Sequence, residues 1–425
     1  MNRDLPRMFC LRQNFLPGPP FHLGAAVASE FAKIRHRIVP GGRIAVAVGS
    51  RGITNLISIV AEVLLQIRAA GGDPFIIPAM GSHGGATPEG QTSVLATYGI
   101  TEAAMRAPIL SSLEVREIGM SRDGIPVYCS AEALNADGIV LVNRVKPHTD
   151  FKGAIGSGLL KMCAVGLGKR MGATVLHAAA SRIGFEKSIR GIASKIIETA
   201  PVLGGIAVLE GRMHETCRVV VLPREDMESG EDALLEEALG LMPKLPFDEI
   251  DLLIVDRMGK NISGSGMDPN VIGRDGSGYS ASLIRGSRPA PFVKRLFIRD
   301  LTPETHGNAV GLGIADFTTT RLSRAVDLRS TYLNALTALA PQSAKIPIHF
   351  DTDREVVEEA IASLAMASGE APRVVRIADT LSLTILEASE ALWLEASRRG
   401  DLILESGLRE MGFQGDGNLL PLCAL

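Results

Sequence analysis

The chain has 425 residues, more than one ordinary core holds, so two domains are expected. At 46% hydrophobic and 21% charged residues it matches an average globular composition, which excludes disordered and collagen-like classes. A formal net charge of -3 with no basic run excludes a generic nucleic-acid binder, and the absence of a charge-free apolar stretch or a signal-like start points to a cytoplasmic protein without a membrane partner.

Regular β/α alternation begins at Gly42. Arg43–Val48 is a short apolar, β-branched run, Gly49-Ser-Arg-Gly52 a turn, and Asn55–Ala70 an amphipathic helix. The pattern recurs with a strand over Pro74–Pro78, a glycine-rich loop over Gly81–Gly85 and a helix over Pro88–Tyr98. Further strands are predicted at Gly138–Val142, Gly205–Leu209 and Leu252–Asp256, with a helix from Glu231 to Leu241. Continuous apolar strands separated by helices predict an α/β fold with a mostly parallel sheet flanked by helices. Two prolines in Met242–Phe247 mark a boundary, giving domains 1–245 and 246–425, the second also α/β, with the active site expected in the cleft between them. In the second domain, Gly259–Gly278 and Thr302–Thr320 read as long functional loops, and Arg373–Leu386 returns to strand character before a last helix and tail.

Five cysteines, at 10, 129, 163, 217 and 423, are odd in number, scattered and never paired as CxxC, so reduced thiols are expected rather than a disulfide framework.

In an open parallel sheet, loops after the strands converge beyond their carboxyl ends. That brings together Ser50 and Arg51, His83 of Gly81-Ser-His-Gly-Gly85, and the loop beginning at Asn143. The Ser50–Arg51 turn has the makings of a phosphate cradle at a helix start, though a strand-to-helix turn needs glycine for steric reasons alone. His83 is either a general acid–base group or a locally hydrogen-bonded loop residue. The segment Asn143–His177 is denser in chemistry: a Pro-His pair at His148, glycine-spaced turns, Lys161 among Leu159, Leu160 and Met162, and His177 sixteen residues later. A lysine desolvated by such neighbours is a nucleophile toward a carbonyl or thiocarbonyl carbon, and an imidazole suits a divalent transition metal. Taken singly, Lys161 also fits a snorkelling helix residue and His177 a surface residue.

Taken together, these motifs resemble the nickel-dependent lactate racemase family over approximately residues 40 to 390, with Gly266-Met-Asp-Pro-Asn270 resembling a loop of its second domain. The resemblance implies that Lys161 carries a covalently joined pyridinium mononucleotide with sulfur arms, the nickel-pincer nucleotide, and that His177 completes its nickel site. It likewise implies that His83 and His148 are the paired catalytic histidines. The implied activity is a 2-hydroxy-acid racemase or epimerase working by reversible hydride transfer to the pincer, the cofactor being supplied by separate biosynthetic enzymes. The sequence departs from the family where Gly49–Ile53 replaces an Asp-x-Thr-Arg element and where Val271-Ile-Gly-Arg274 replaces a Tyr-Gln pair and a lysine. These departures touch substrate contacts more than acid–base positions. The expected substrate contacts are Lys260, Asn261, Asp268, Asn270 and His306, with Lys260 or Arg51 opposite the carboxylate of a small-molecule hydroxy acid. Two rivals are a zinc hydrolase with His83, His148 and His177 as ligands, and a nucleotide-binding protein without turnover. Association into a homo-oligomer is left open.

Overall fold

A computed structural model describes residues 5–15, 21–49, 52–81, 83–149, 151, 153–274, 291–364 and 370–423. The chain forms two compact units: Pro17–His148 with Lys152–Met242, and Met1–Leu16 with Thr149–Phe151 and Pro243–Leu425. The expected division at 245/246 therefore differs at the amino terminus. Strand β1 (Met8–Gln13) belongs to the carboxyl-terminal unit, where it pairs antiparallel with strands that follow it by almost 400 residues.

In the first unit β2 (Arg43–Val48), β3 (Asp73–Pro78), β6 (Gly138–Arg144), β7 (Val202–Glu210) and β8 (Thr216–Pro223) form one sheet in the order β3-β2-β6-β7-β8, parallel except for β8. A small hairpin, β4 (Val115–Met120) and β5 (Pro126–Ser130), stands apart from it. Alternation explains why β2 reads as continuously apolar. Ile44, Val46 and Val48 pack in a core with Val60, Val63 and Ile67 of the helix Leu56–Ala69, while Ala45 and Ala47 are buried on the other face.

The second unit holds β1, β9 (Glu249–Met258), β10 (Phe292–Leu301), β11 (Phe317–Thr319), β12 (Ile348–Phe350), β13 (Val374–Ile377), β14 (Ile385–Ser389) and β15 (Leu402–Leu404) in one eight-stranded sheet. Its order is β12-β11-β10-β9-β13-β14-β1-β15, parallel from β12 to β13 and antiparallel beyond. Neighbouring residues of β9 again serve opposite faces: Leu253 and Val255 join the core that contains Phe9 and Leu11, whereas Leu252 and Ile254 join the one covered by Val356 and Val357 of the helix Asp353–Ala362. That helix begins with a capping box of Thr352 and Glu355. The strand character of Arg373–Leu386 resolves into β13, β14 and a turn between them in which the Asp379 carboxylate accepts the Leu381 and Ser382 N–H groups.

The expectation of reduced cysteines throughout is corrected: Cys10 of β1 and Cys423 of the carboxyl-terminal tail form a disulfide, leaving Cys129, Cys163 and Cys217 as thiols. Partners 413 positions apart in sequence leave no spacing signature. Among the described residues no helix is long and apolar enough to cross a membrane.

Candidate functional site

In the first unit the connection from β2 runs to β3 on one side, and the later β6 adds on the other, so the carboxyl ends of β2 and β6 flank a topological switch point. Gly49 follows β2 there. A Cβ on Gly49 would meet Asn143 Oδ1 at 2.6 Å and Met162 Cε at 3.0 Å, so only glycine lets the strand end approach β6 and the segment carrying the lysine. Ser50 and Arg51 lie outside the described residues.

Lys161 ends the helical turn Leu159–Lys161 and leads straight into a π-helical stretch, Met162–Leu167, followed by Gly168 and the helix Lys169–Ile183. A straight α-helix would set Lys161 and His177 roughly 24 Å apart. The chain instead turns at Gly168 and Lys169, the latter at φ +54°, with Gly168 and Gly172 packed against the Ala164 carbonyl too closely for a side chain. π-Bulges and left-handed residues concentrate at functional sites.

The effect of the turn is visible in four side chains. Lys161 Nζ and His148 Nε2 are in hydrogen-bond contact. The His148 ring is stacked on Phe185, with centroids 6.3 Å apart and planes at 22°, and Phe185 meets His177 edge-on at 5.6 Å. His148 sits in a loop pinched at its base by reciprocal backbone hydrogen bonds between Lys146 and Ser157, and tied to the helix Phe185–Thr199 where Glu186 accepts the Ala154 N–H. Thus His148 and His177 meet on one aromatic ring and Lys161 joins them through His148, all three partly exposed.

His83 follows β3. The strand end is packed onto the π-helical stretch: a Cβ on Gly81 would lie 2.6 Å from Val165 Cγ1, and one on Gly166 would lie 2.7 Å from the Ala79 carbonyl oxygen. Buried Gln91 donates to the carbonyls of Gly81 at 2.9 Å and His83 at 3.4 Å, which holds the loop.

Sequence reasoning missed three groups here. Lys169 is wholly buried, donates from Nζ to the Pro78 carbonyl at 2.5 Å, and burial pulls its pKa down to about 8. Glu231 is also wholly buried; its Oε2 accepts the Leu160 N–H at 2.9 Å, and burial pushes its pKa up to about 7. Phe185 had no motif around it. Charged residues with these neighbours look like solvated helix residues in sequence, and nothing local signals their burial. Cys163 is fully buried and its thiol is pushed well above the ordinary range by burial, which makes it a packing residue.

In the second unit the switch point falls between β9 and β13. The loop after β9 holds Lys260 and Asn261. Lys260 Nζ donates to the Gly264 carbonyl at 2.5 Å, and Asn261 Oδ1 accepts from Thr302 Oγ1 at 2.6 Å. Asp268 caps the short helix Pro269–Ile272, accepting from both the backbone N–H and the side-chain amide of Asn270. His306 is exposed at a left-handed turn position. Arg274, at the position of the departure from the family's lysine, is 2% exposed and donates to the Ile314, Val293 and Lys294 carbonyls and to Asp316, which leaves it structural. Arg321, in the short helix Thr320–Ala325, is committed to Asp300 and Asp353.

Among the described residues no group of three or more His, Cys, Asp and Glu side chains is placed to hold a metal ion. The three-histidine zinc site is corrected accordingly: His83, His148 and His177 do not form it.

Comparison with solved structures finds a likeness over most of the chain. Its fold is that of a lactate racemase. One match is the lactate racemase apoprotein from Thermoanaerobacterium thermosaccharolyticum, with a TM-score of 0.54 and 13% identity, covering 88% of this chain and 93% of that one. No protein-family model matches, and no curated protein does. At this identity the likeness establishes the fold. The activity of the lactate racemase enters only as a proposal for this chain.

Proposed function

We propose that the chain is a racemase or epimerase of a 2-hydroxy acid that works with a nickel-pincer nucleotide joined to Lys161. The observation that carries this reading is the gathering of a partly exposed lysine, a histidine in contact with its amine, and a second histidine across one phenylalanine ring. A metal held by protein alone needs three or four side-chain donors. A metal that arrives with an organic carrier needs fewer, and one imidazole, His177, beyond one tethering amine fits that demand.

When bound, the nickel-pincer group supplies a hydride acceptor and donor, chemistry that no side chain offers. The chain's own residues do the rest. Lys161 tethers, and whatever it holds must lie within a few ångströms of His148. His148 is therefore proposed to take or return the substrate hydroxyl proton on one face. His83, on a loop braced by Gln91 against the same helical segment, is proposed to do so on the other. Each histidine serves as base in one direction and acid in the reverse. Phe185 excludes water on the side it covers. Lys260, Asn261, Asp268, Asn270 and His306, with Arg51 and Ser50 as carboxylate and phosphate partners, are put forward as ligand contacts on their chemistry alone.

The test is intact-mass spectrometry of the full chain produced together with pincer-forming enzymes. Wild type should carry the adduct mass, and Lys161→Ala should lack it while keeping its circular dichroism spectrum. An adduct retained by the variant would take Lys161 out of the role.

A further inference from the structure

The first turn of the lysine's helix is held from three sides. The Gly158 carbonyl accepts from Asn143 Nδ2 at 2.9 Å, Leu159 rests on Gly205 of β7 where any Cβ would lie 2.6 Å from its Cδ1, and the Leu160 N–H donates to Glu231. Gly158 is shaped to this arrangement, because a Cβ there would sit 2.3 Å from Glu231 Oε1 and 2.5 Å from its Cδ. A serine, threonine or aspartate at that position, the ordinary way to cap a helix start, has no room. The acceptor comes instead from a helix 71 positions further on, Met227–Leu241.

Glu231 is an expensive choice for a packing residue. It is 0% exposed, and its Oε1 has no hydrogen-bond partner among the described residues. A leucine or methionine there would avoid the desolvation penalty of a carboxyl group. What an apolar residue lacks is an acceptor for the backbone N–H of the residue next to Lys161, and an unsatisfied N–H at a buried helix start is itself costly.

We infer that Glu231 is a positioning residue for Lys161: by holding the Leu160 N–H it sets where the lysine amine meets His148. The inference rests on Lys161 being the working lysine of the proposed function, but its geometry involves no cofactor.

The test is a double-mutant cycle read on His148 in the full chain without cofactor. The nitrogen resonances of the His148 imidazole are followed by NMR against pH in wild type, Glu231→Ala and Glu231→Gln, each with Lys161 present and with Lys161→Met. Glu231→Ala is expected to move the His148 midpoint by roughly half a unit or more when Lys161 is present, since a neighbouring amine contributes shifts of that order. Glu231→Gln, which keeps an acceptor in place, should restore it, and in the Lys161→Met background the effect of Glu231→Ala should vanish. A midpoint unmoved by Glu231→Ala, or moved equally in both backgrounds, overturns the inference. If the alanine variant does not fold, Glu231→Asp, which retracts the acceptor by one methylene, is read in the same cycle with the same two outcomes. A chain that never acquires the adduct would defeat the racemase reading and leave this result standing.

Discussion

Replacing Lys169 by methionine should remove a pH dependence of stability that wild type shows on the alkaline side. The ammonium is fully buried against the Pro78 carbonyl, and desolvation lowers its pKa from 10.5 to about 8. At ~1.4 kcal/mol per pKa unit, that fall corresponds to about 3 kcal/mol. Between those two values the unfolded chain still holds the proton that the folded chain has released, so unfolding takes up a proton and stability rises with pH. Below the folded value both states are charged and the whole cost is present. Wild type should therefore gain about 3 kcal/mol from this group across the window, and Lys169→Met should not. Near neutral pH the two opposing effects nearly cancel: the variant sheds about 3 kcal/mol of desolvation but loses a charged hydrogen bond worth about 1.5–3 kcal/mol. Methionine keeps the length and flexibility of the stem. Urea unfolding of both proteins from about pH 7 to about pH 11, taken as a difference, cancels the groups they share. A difference that stays constant over the range would refute the reasoning.

Three other outcomes follow, the first two from the proposed function and the third from the disulfide. His177→Ala should lose nickel, measured by elemental analysis, while keeping part of the organic cofactor on Lys161; equal nickel in both proteins would contradict the assignment. Replacing either His83 or His148 by alanine should slow interconversion in both directions by roughly 10² to 10⁴-fold with cofactor still bound, since each turnover uses one as base and the other as acid. Wild-type rates in both variants would end the acid–base pairing. Cys423→Ser should destabilise the carboxyl-terminal unit by about 2–4 kcal/mol in denaturant without affecting Lys161 modification. The tail keeps its other ties, Leu419 N–H to Asp353 and Arg376 to the Leu420 carbonyl, so a complete loss of folding is not expected.

Legibility differed from element to element. The run Arg43–Val48, the helix after it, and the loops at His83 and His148 were readable because apolar period and glycine placement are local properties. Strand β10 (Phe292–Leu301) escaped because its charges interrupt the apolar run: Lys294 pairs with Asp251 and Arg299 with Asp256 and Asp353, partners supplied by other elements. β1 escaped because its pairing with β14 and β15 depends on residues at the far end of the chain. Lys161 and His177 could be named from their motif, but the arrangement in which Lys161 touches His148 while His148 and His177 share Phe185 appears only in the tertiary structure.

The sequence by itself determined the α/β class, four of the five strands of the first unit's main sheet and the helices Leu56–Ala69, Pro88–Thr97 and Met227–Leu241, and it singled out the lysine and histidines put forward as the site, since each is written in short-range pattern and residue chemistry. The tertiary structure alone decided that β1 joins the carboxyl-terminal sheet, that Cys10 meets Cys423, that Lys169 and Glu231 are buried, and that Arg274 and Arg321 are structural. Those outcomes depend on desolvation and on partners distant in sequence, and a side chain's own neighbours do not reveal what will surround it once the sheets close over it.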